Sequence, residues 1–228
     1  MISVFLPTRK GSERVLRKNT RDFAGIKGGL LKIKLDQLLK SKKVDEIILS
    51  TDDDVSIAIA EELRDSKIKI VKRPVHLAKS ETKLIDLVDY VPGICSHENI
   101  LWTHVTSPFV NSKEYDRIIH NYFEGLLQGY DSLMTVKSIR NFIWDELKND
   151  IVNRINEEKW PRTQDLRVFY EIDSAVFINS KENYIEFHDR IGNKPFLFES
   201  KGLCSFDVDW EEDFKTAEIL FSAINERY

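Results

Sequence analysis

The chain has little cysteine and no long apolar run, and each absence narrows what the protein can be. Cys95 and Cys204 are its only cysteines among 228 residues, too few for a disulfide framework and typical of a reducing compartment. No apolar run approaches the roughly 20 residues that cross a bilayer, and the first residues lack a signal-peptide pattern. The sequence therefore predicts a cytoplasmic protein that does not span a membrane.

Positive charge is not in excess either. Lys and Arg number 34 against 38 Asp and Glu, which gives a net charge of −4, and the pI is about 5.8. This balance argues against nucleic acid as a partner. Apolar residues at 42% and charged residues at 32% are ordinary for a globular protein. The length predicts a single domain, residues 1–228.

Short apolar runs alternate with segments of helical periodicity. The predicted strands are Ile2–Leu6, Glu46–Ser50, Ile68–Lys72, Asn99–Val105, Ser132–Val136 and Ala175–Ile178. The predicted helices are Leu30–Lys40, Asp54–Leu63, Thr82–Val91, Asn111–Leu127 and Glu211–Asn225. This alternation predicts an α/β fold with a largely parallel sheet covered by helices on both faces.

Local signals place two of the helix ends. Asn111, followed three residues later by Glu114, predicts a helix start, and Pro92-Gly93 predicts a helix end. In such a fold, ligands bind outside the carboxyl ends of the strands. The polar residues that follow each strand are therefore the candidates for a site.

The loop after the first strand concentrates positive charge in an otherwise acidic chain. Between Thr8 and Lys18 it carries five cations and one anion, Glu13. Gly11 and Ser12 free the backbone to turn its N–H groups toward a polyphosphate. The spacing is neither that of the P-loop nor that of the dinucleotide fingerprint. The alternative is a solvated surface loop.

This loop resembles the N-terminal signature of the CMP-sugar synthetases, the acylneuraminate cytidylyltransferase family, which has the form I-P-A-R-x-G-S-K-x-x-x-x-K-N. Two positions depart from it, with Thr8 in place of Ala and Glu13 in place of Lys. The resemblance implies a Rossmann-like, three-layer α/β/α nucleotidyltransferase fold with a mainly parallel mixed sheet and a small dimerisation arm. It also implies that eight residues bind the nucleotide: Pro7, Thr8, Arg9, Gly11, Ser12, Arg14, Lys18 and Asn19.

The next two strand ends extend the resemblance. Ser50-Thr51-Asp52 resembles the family's S-T-D element, and Asp52 is expected in the cleft, whereas Asp53 and Asp54 are better explained as caps of the following helix. Lys72-Arg73-Pro74 resembles its R-P-x-x-L-A element. Arg73 is expected to bring a further cation to the nucleotide, the alternative being a surface cation before a proline turn.

Three later segments resemble the family's acceptor-binding motifs. His104 replaces Gln before Thr106-Ser107-Pro108, and it is either a donor to the acceptor or a structural hydrogen-bonding group. The second segment, Arg162-Thr163-Gln164-Asp165-Leu166, resembles the family's R-x-Q-D-L-P, and Arg162 suits two-point contact with a carboxylate. In the third, Asp173-Ser174 replaces the family's Asn-Gly. The resemblance implies that six residues bind the acceptor: His104, Thr106, Ser107, Arg162, Gln164 and Asp173.

Residues 137–170 break the alternating pattern and are rich in aromatic side chains. In the family, this region forms an arm that packs against a second subunit, so the resemblance implies a homodimer. Exposed aromatic residues in such number are themselves typical of a contact surface.

Asp207 and Asp209 face the same way if the segment is extended, because side chains alternate along a strand. Two neighbouring carboxylates favour a cation between them, and hard carboxylate oxygens suit Mg²⁺. The alternative is that they cap the last helix. The three acidic residues that follow are explained without a metal, because anions in the first turn of a helix stabilise its dipole. These residues are Glu211, Glu212 and Asp213.

Together the motifs imply a nucleotidyltransferase that moves CMP from CTP to a small acidic sugar of the nonulosonic or sialic-acid type. Arg9, Lys18 and Asp209 are the expected catalytic residues, with Mg²⁺ on Asp207 and Asp209. Two alternatives stay open. One is a cytidylyltransferase for another small acceptor, such as a phosphorylated sugar or polyol, and the other is a non-catalytic nucleotide-binding protein.

Overall fold

A computed structural model describes residues 1–225 of the chain. The strands are β1 Ile2–Pro7, β2 Glu46–Thr51, β3 Ile68–Lys72, β4 Asn99–Thr103, β5 Ser132–Ile139, β6 Trp144–Asp145, β7 Asp150–Ile151, β8 Phe169–Ser180 and β9 Pro195–Glu199. The α-helices are α1 Gly29–Leu39, α2 Asp54–Leu63, α3 Leu84–Ile94, α4 Ser112–Leu127, α5 Lys181–Phe187 and α6 Glu211–Asn225. The predicted α/β class is confirmed.

Seven strands form one mixed sheet in the order β3-β2-β1-β4-β8-β5-β9. Strands β1 to β4 are parallel, whereas β8 runs antiparallel to β4 and β5 on either side of it. The central strands are buried on both faces, which explains why they read as continuous apolar runs rather than alternating ones. The carboxyl ends of β1, β2 and β4 therefore meet at one edge.

Two apolar layers cover the sheet. Side chains of β1 alternate between them, with Val4 and Leu6 in the layer shared with α1, α4 and α6 and Phe5 in the layer shared with α3 and α5. In the second layer, the ring of Phe5 packs edge-on against Trp102, with 4.7 Å between centroids. The protein is thus a helix–sheet–helix sandwich.

Capping residues fix several helix ends as predicted. The Asn111 side chain accepts a hydrogen bond from the Glu114 N–H at 3.0 Å, and Asp53 accepts one from the Val55 N–H at 3.2 Å. The predicted stop at Pro92-Gly93 is wrong, because α3 runs on to Ile94 with Pro92 inside its last turn. A proline there removes one N–H donor, but the Cys95 N–H still closes the turn on Val91.

Some elements escaped the sequence analysis. Helix α5 has only seven residues, too few for a clear helical periodicity, and edge strand β9, Pro195–Glu199, shows no alternation of apolar and polar residues. Strands β5 and β8 are longer than predicted and stay paired as far as Ile139 and Phe169. The excursion outside the main sheet therefore covers residues 140–168, which we call the arm. None of the helices in residues 1–225 is long and apolar enough to cross a membrane.

Candidate active site

A cavity of about 400 Å³ opens at the carboxyl ends of β1 and β4. Its lining comes from the loop after β1, the loop after β3, α3 and the end of β4. These residues are Pro7, Thr8, Arg9, Ser12, Glu13, Arg14, Val15, Lys18, Asn19, Arg73, Leu84, Leu87, Trp102, His104, Val105 and Thr106. A larger groove of about 690 Å³ on the α1–α4 side lacks such a cluster of cations, so chemistry rather than size identifies the site.

The loop after β1 is held in place by side chains that form hydrogen bonds with its backbone groups. The Lys10 N–H donates to Asp52 Oδ1 at 2.9 Å, and the Asn19 side chain donates to the Arg9 carbonyl at 3.4 Å. Gly11 has a φ of +78°, a conformation that glycine adopts without a Cβ penalty. Asp52 therefore organises the loop from the end of β2 rather than lining the cavity.

The central ion cluster joins the two ends of the chain. Lys18 Nζ donates to the Val208 carbonyl at 2.8 Å and lies 3.6 Å from Asp209 Oδ1. Arg14 reaches the same carboxylate oxygen at 3.2 Å. Burial lowers the pKa of Lys18, although Asp209 and Asp207 act in the opposite direction. Predicted residues from both ends of the sequence thus converge.

Asp207 lies beside this cluster against the loop after β4. Burial raises the pKa of its carboxyl, while a hydrogen bond from Thr106 opposes the shift and the nearby charge of Asp209 adds to it. The Val208 N–H donates to the Thr106 carbonyl at 2.9 Å. Asp209 is positioned by its own backbone, since its N–H donates to Asp213 Oδ2 at 3.1 Å. The two aspartates are therefore mutually close and differently buried.

Arg9 takes part in a separate polar network. Its guanidinium donates to Ser80 Oγ at 2.8 Å, and that hydroxyl donates to Glu13 Oε1 at 2.6 Å. Glu13 also lies 3.9 Å from Arg9. The anion that departs from the family signature thus links the loop after β1 to the segment before α3.

Arg73 is buried rather than a surface cation. Its guanidinium donates to the Ser50 carbonyl at 2.6 Å and to Ser50 Oγ at 3.2 Å. Burial lowers its pKa, with Asp52 acting in the opposite direction. Arg73 therefore lines the cavity while fixing the end of β2.

His104 reaches the cavity as a neutral imidazole. Trp102 Nε1 donates to His104 Nε2 at 3.1 Å, so that nitrogen is the acceptor and Nδ1 carries the proton. Burial lowers the pKa of His104 to about 3, and the charges of Arg190, Lys18 and Lys34 add to the effect. The imidazole can thus donate from Nδ1 but cannot act as a cation near neutral pH.

Lys34 is a site-supporting residue that the sequence analysis missed. It is fully buried in α1, and its Nζ donates to the carbonyls of Ser107 at 2.8 Å and Val110 at 3.3 Å. The ammonium group also lies 4.9 Å from the centre of the Tyr115 ring. The sequence contained one signal of this buried cation, a single lysine on the apolar face of a predicted helix. Ser107 is itself buried and supplies its carbonyl to Lys34 rather than a side chain to the cavity.

With this geometry in place, comparison with known proteins identifies the family. The sequence profile of the family described as "Cytidylyltransferase" matches residues 3–222. The chain belongs to the cytidylyltransferase family. It is a nucleotidyltransferase by this membership, and the resemblance read from its motifs is confirmed at that level.

The relatives of this cytidylyltransferase include enzymes named for acidic sugars. The chain is 26% identical to the pseudaminic acid cytidylyltransferase of Campylobacter jejuni, over 97% of this chain and 96% of that protein. It is 24% identical to an N-acylneuraminate cytidylyltransferase of Streptococcus agalactiae, over 92% of this chain and 50% of that protein.

Solved structures agree on the fold. A CMP:2-keto-3-deoxy-manno-octonic acid synthetase in complex with CTP has a TM-score of 0.67 at 12% identity and covers 98% of this chain and 99% of that one. The 4-diphosphocytidyl-2C-methyl-D-erythritol synthase of Anaerococcus prevotii has a TM-score of 0.66 at 17% identity, covering 96% and 95%. The predicted nucleotidyltransferase fold is confirmed.

Other predicted residues of this cytidylyltransferase lie away from the cavity. Arg162 and Gln164 are exposed in the arm, and Arg162 pairs with Asp165 at 2.7 Å. Asp173 is buried and accepts hydrogen bonds from Thr135 and from the Ala175 N–H. Within a single chain, the structure therefore does not bring these three residues to the nucleotide loop.

Proposed function

We propose that this cytidylyltransferase transfers CMP from CTP to an acidic sugar of the nonulosonic class and releases pyrophosphate. The observation that carries the proposal is the convergence of Arg14, Lys18 and Asp209 beside a cavity whose rim also holds Arg9. Relatives named for pseudaminic acid and N-acylneuraminate support the acceptor class. The transferred group, a cytidylyl group, follows from the family.

The chemistry is an in-line displacement at the α-phosphorus. A hydroxyl oxygen of the acceptor forms a bond to that phosphorus. The bond from the α-phosphorus to the oxygen shared with the β-phosphate breaks, so that pyrophosphate leaves, and the hydroxyl proton passes to solvent. Arg9, Ser12, Arg14 and Lys18 hold the triphosphate and offset the negative charge that develops on it. His104 Nδ1 donates to an oxygen of the acceptor. No covalent protein intermediate is required.

Magnesium fits the donor set of the site. Asp207 and Asp209 would hold the ion through their carboxylate oxygens, the hard ligands that Mg²⁺ prefers. In residues 1–225 no cluster of three or more His, Cys, Asp or Glu side chains offers a fully protein-built metal cage. When bound, Mg²⁺ would neutralise charge on the phosphates.

We also propose that the arm mediates a homodimer. Trp144 and Trp160 are 56% and 63% exposed, although Trp160 packs edge-on with Phe142 at 5.4 Å between ring centroids. Exposed aromatic area of this kind marks a contact surface. A partner arm is also a route by which Arg162 and Gln164 could reach an acceptor.

The decisive experiment measures pyrophosphate release with CTP and a panel of acceptors. The panel contains nonulosonic acids, 2-keto-3-deoxy-manno-octonate and phosphorylated sugars and polyols. We expect turnover with a nonulosonic acid. Turnover only with phosphorylated acceptors would mean that the acceptor is a phosphorylated sugar or polyol and not a nonulosonic acid. No pyrophosphate release with any acceptor would favour a nucleotide-binding role without catalysis.

Nucleotide choice is tested separately by calorimetric titration of the four ribonucleoside triphosphates. We expect CTP to bind more tightly than ATP, GTP and UTP. Equal affinity for all four would contradict the cytidylyl assignment while leaving the fold and the phosphate-binding loop intact.

A further inference from the structure

Arg190, in the loop between α5 and β9, is a cation that no motif of the sequence singled out. Its guanidinium carbon lies 3.8 Å from the centre of the Phe177 ring and 5.3 Å from the centre of the Trp102 ring. The side chain is thus stacked on the α3–α5 face of the sheet, where β4 and β8 pair. Burial lowers its pKa, but arginine stays charged near neutral pH.

Within residues 1–225 the guanidinium has no carboxylate at ion-pair distance, although Asp189 is near enough for its charge to raise the pKa of Arg190. Within the described residues, Arg190 takes part in none of the ion pairs. Its nitrogens are also not among the enclosed polar atoms without partners, so solvent reaches them. A stacked guanidinium presents five N–H donors in a fixed plane, and aromatic rings leave those donors unsatisfied.

The position of Arg190 connects it to the cavity. Trp102, on which it stacks, lines the cavity and donates to His104, which lines it as well. Among the charges that lower the pKa of His104, that of Arg190 acts most strongly after burial itself. Arg190 is not itself one of the lining residues, but it lies directly behind Trp102 at the end of β4, next to the part of the cavity assigned to the acceptor.

The cations that line the cavity have other roles. In the proposed function Arg9, Arg14 and Lys18 hold the triphosphate, and Arg73 donates to Ser50 at the end of β2. An acidic acceptor brings a carboxylate that must lose part of its hydration on binding, and such a group requires a charge-assisted partner. Within residues 1–225 Arg190 forms no ion pair, and it packs against Trp102, which lines this part of the cavity.

We propose that Arg190 binds the carboxylate of the acceptor and thereby selects an acidic sugar. The inference rests on the proposed cytidylyl transfer. It assigns to the loop between α5 and β9 the role that the resemblance gave to Arg162. Packing over Phe177 and beside Trp102 restricts the position of the guanidinium, which suits the two-point recognition that carboxylates allow.

The test measures binding of acceptor probes to the full chain loaded with CMP, which has no pyrophosphate to lose and so prevents turnover. The probes are N-acetylneuraminate, its methyl ester and 2-keto-3-deoxy-manno-octonate, and the variant is Arg190→Gln. We expect the Kd of the acids to rise by about tenfold or more, as for loss of a charge-assisted contact. The ester and CTP should bind within about twofold of wild type by the same reasoning.

Two further variants control for folding. Arg117 is a matched arginine that lies 4.5 Å from the centre of the Phe198 ring and pairs with Glu114 away from the cavity. Arg117→Gln should leave binding of acid and ester unchanged. Arg190→Lys keeps the charge but not the planar donor set, so it should recover only part of the affinity for the acids.

Unchanged acid binding in Arg190→Gln would overturn the inference, as would equal weakening of acid and ester. Failure of the wild-type chain to bind either acid would overturn it too. The proposed function fails in a different way, when the acids bind the wild-type chain but CTP releases no pyrophosphate with any of them.

Discussion

Replacing Lys34 with Met gives a quantitative test of the buried cation beneath the site. Lys34 is 0% exposed, and burial lowers its pKa from the ordinary 10.5 to about 7, a nearby Cys204 charge acting in the opposite direction. Between these two pKa values the unfolded chain binds more protons than the folded chain. The free energy of unfolding must therefore rise with pH across that window.

The size of the effect follows from the two pKa values. Integrated from pH 7 to pH 9, the Lys34 contribution to the free energy of unfolding rises by about 2 kcal/mol. Lys34→Met removes this contribution. The same substitution leaves the carbonyls of Ser107 and Val110 without their donor, which costs about 1–3 kcal/mol each. That cost does not depend on pH, so the slope and not the absolute stability is the diagnostic quantity.

The assay is urea denaturation of wild type and variant at pH 7, 8 and 9 under reducing conditions. We expect the wild type to gain about 2 kcal/mol more than the variant across this range. Lys32→Met is the control, because Lys32 lies on the same helix but is partly exposed and pairs with Asp36. It should keep the wild-type slope. Parallel pH profiles for wild type and Lys34→Met would refute the reasoning.

Three further predictions concern the site, the backbone and the assembly. Asp209→Asn should lower pyrophosphate release by about 100-fold while changing the melting temperature little, because half-exposed ion pairs contribute under about 1 kcal/mol; full activity, or wild-type turnover unaffected by EDTA, would contradict the proposed magnesium site. Gly29→Ala should be strongly destabilising in thermal melts, since its Cβ would lie 1.9 Å from the Arg21 carbonyl oxygen, whereas Gly93→Ala, with nothing within 4 Å, should be neutral or slightly stabilising. Light scattering should give twice the chain mass of 26.7 kDa, and a monomeric mass at micromolar concentration would argue against the arm as a dimer contact.

Contacts between residues close together in the chain could be predicted from the sequence alone. The Asn111 and Asp53 caps form between residues two or three apart, so the sequence contains both partners. The buried strands appear as apolar runs, and the cationic loop follows the first of them. These features were sufficient to predict the α/β class and, through the ordered motifs, the family.

Long-range contacts set the limit of that prediction. The bond from Lys18 Nζ to the Val208 carbonyl joins residues 190 positions apart, and only the ordered sheet brings them together. The motifs suggested that both ends serve one site, but they did not predict that Asp209 would pair with Arg14 and Lys18. No local pattern encodes such a pairing.

Burial explains why the sequence analysis misplaced some cations and missed others. Arg162 belongs to a motif, yet it lies exposed in the arm. Arg190 and Lys34 belong to none, yet Arg190 packs against the cavity-lining Trp102 and Lys34 holds the loop after β4 through the Ser107 carbonyl. A cation beside aromatic or apolar residues in the sequence does not reveal whether folding will enclose it. By itself the sequence determined six strands of the main sheet, two helix caps, the position of the cationic loop and the family. Only the tertiary structure decided which charges are desolvated and unpaired, because desolvation depends on packing between segments that are distant in the chain.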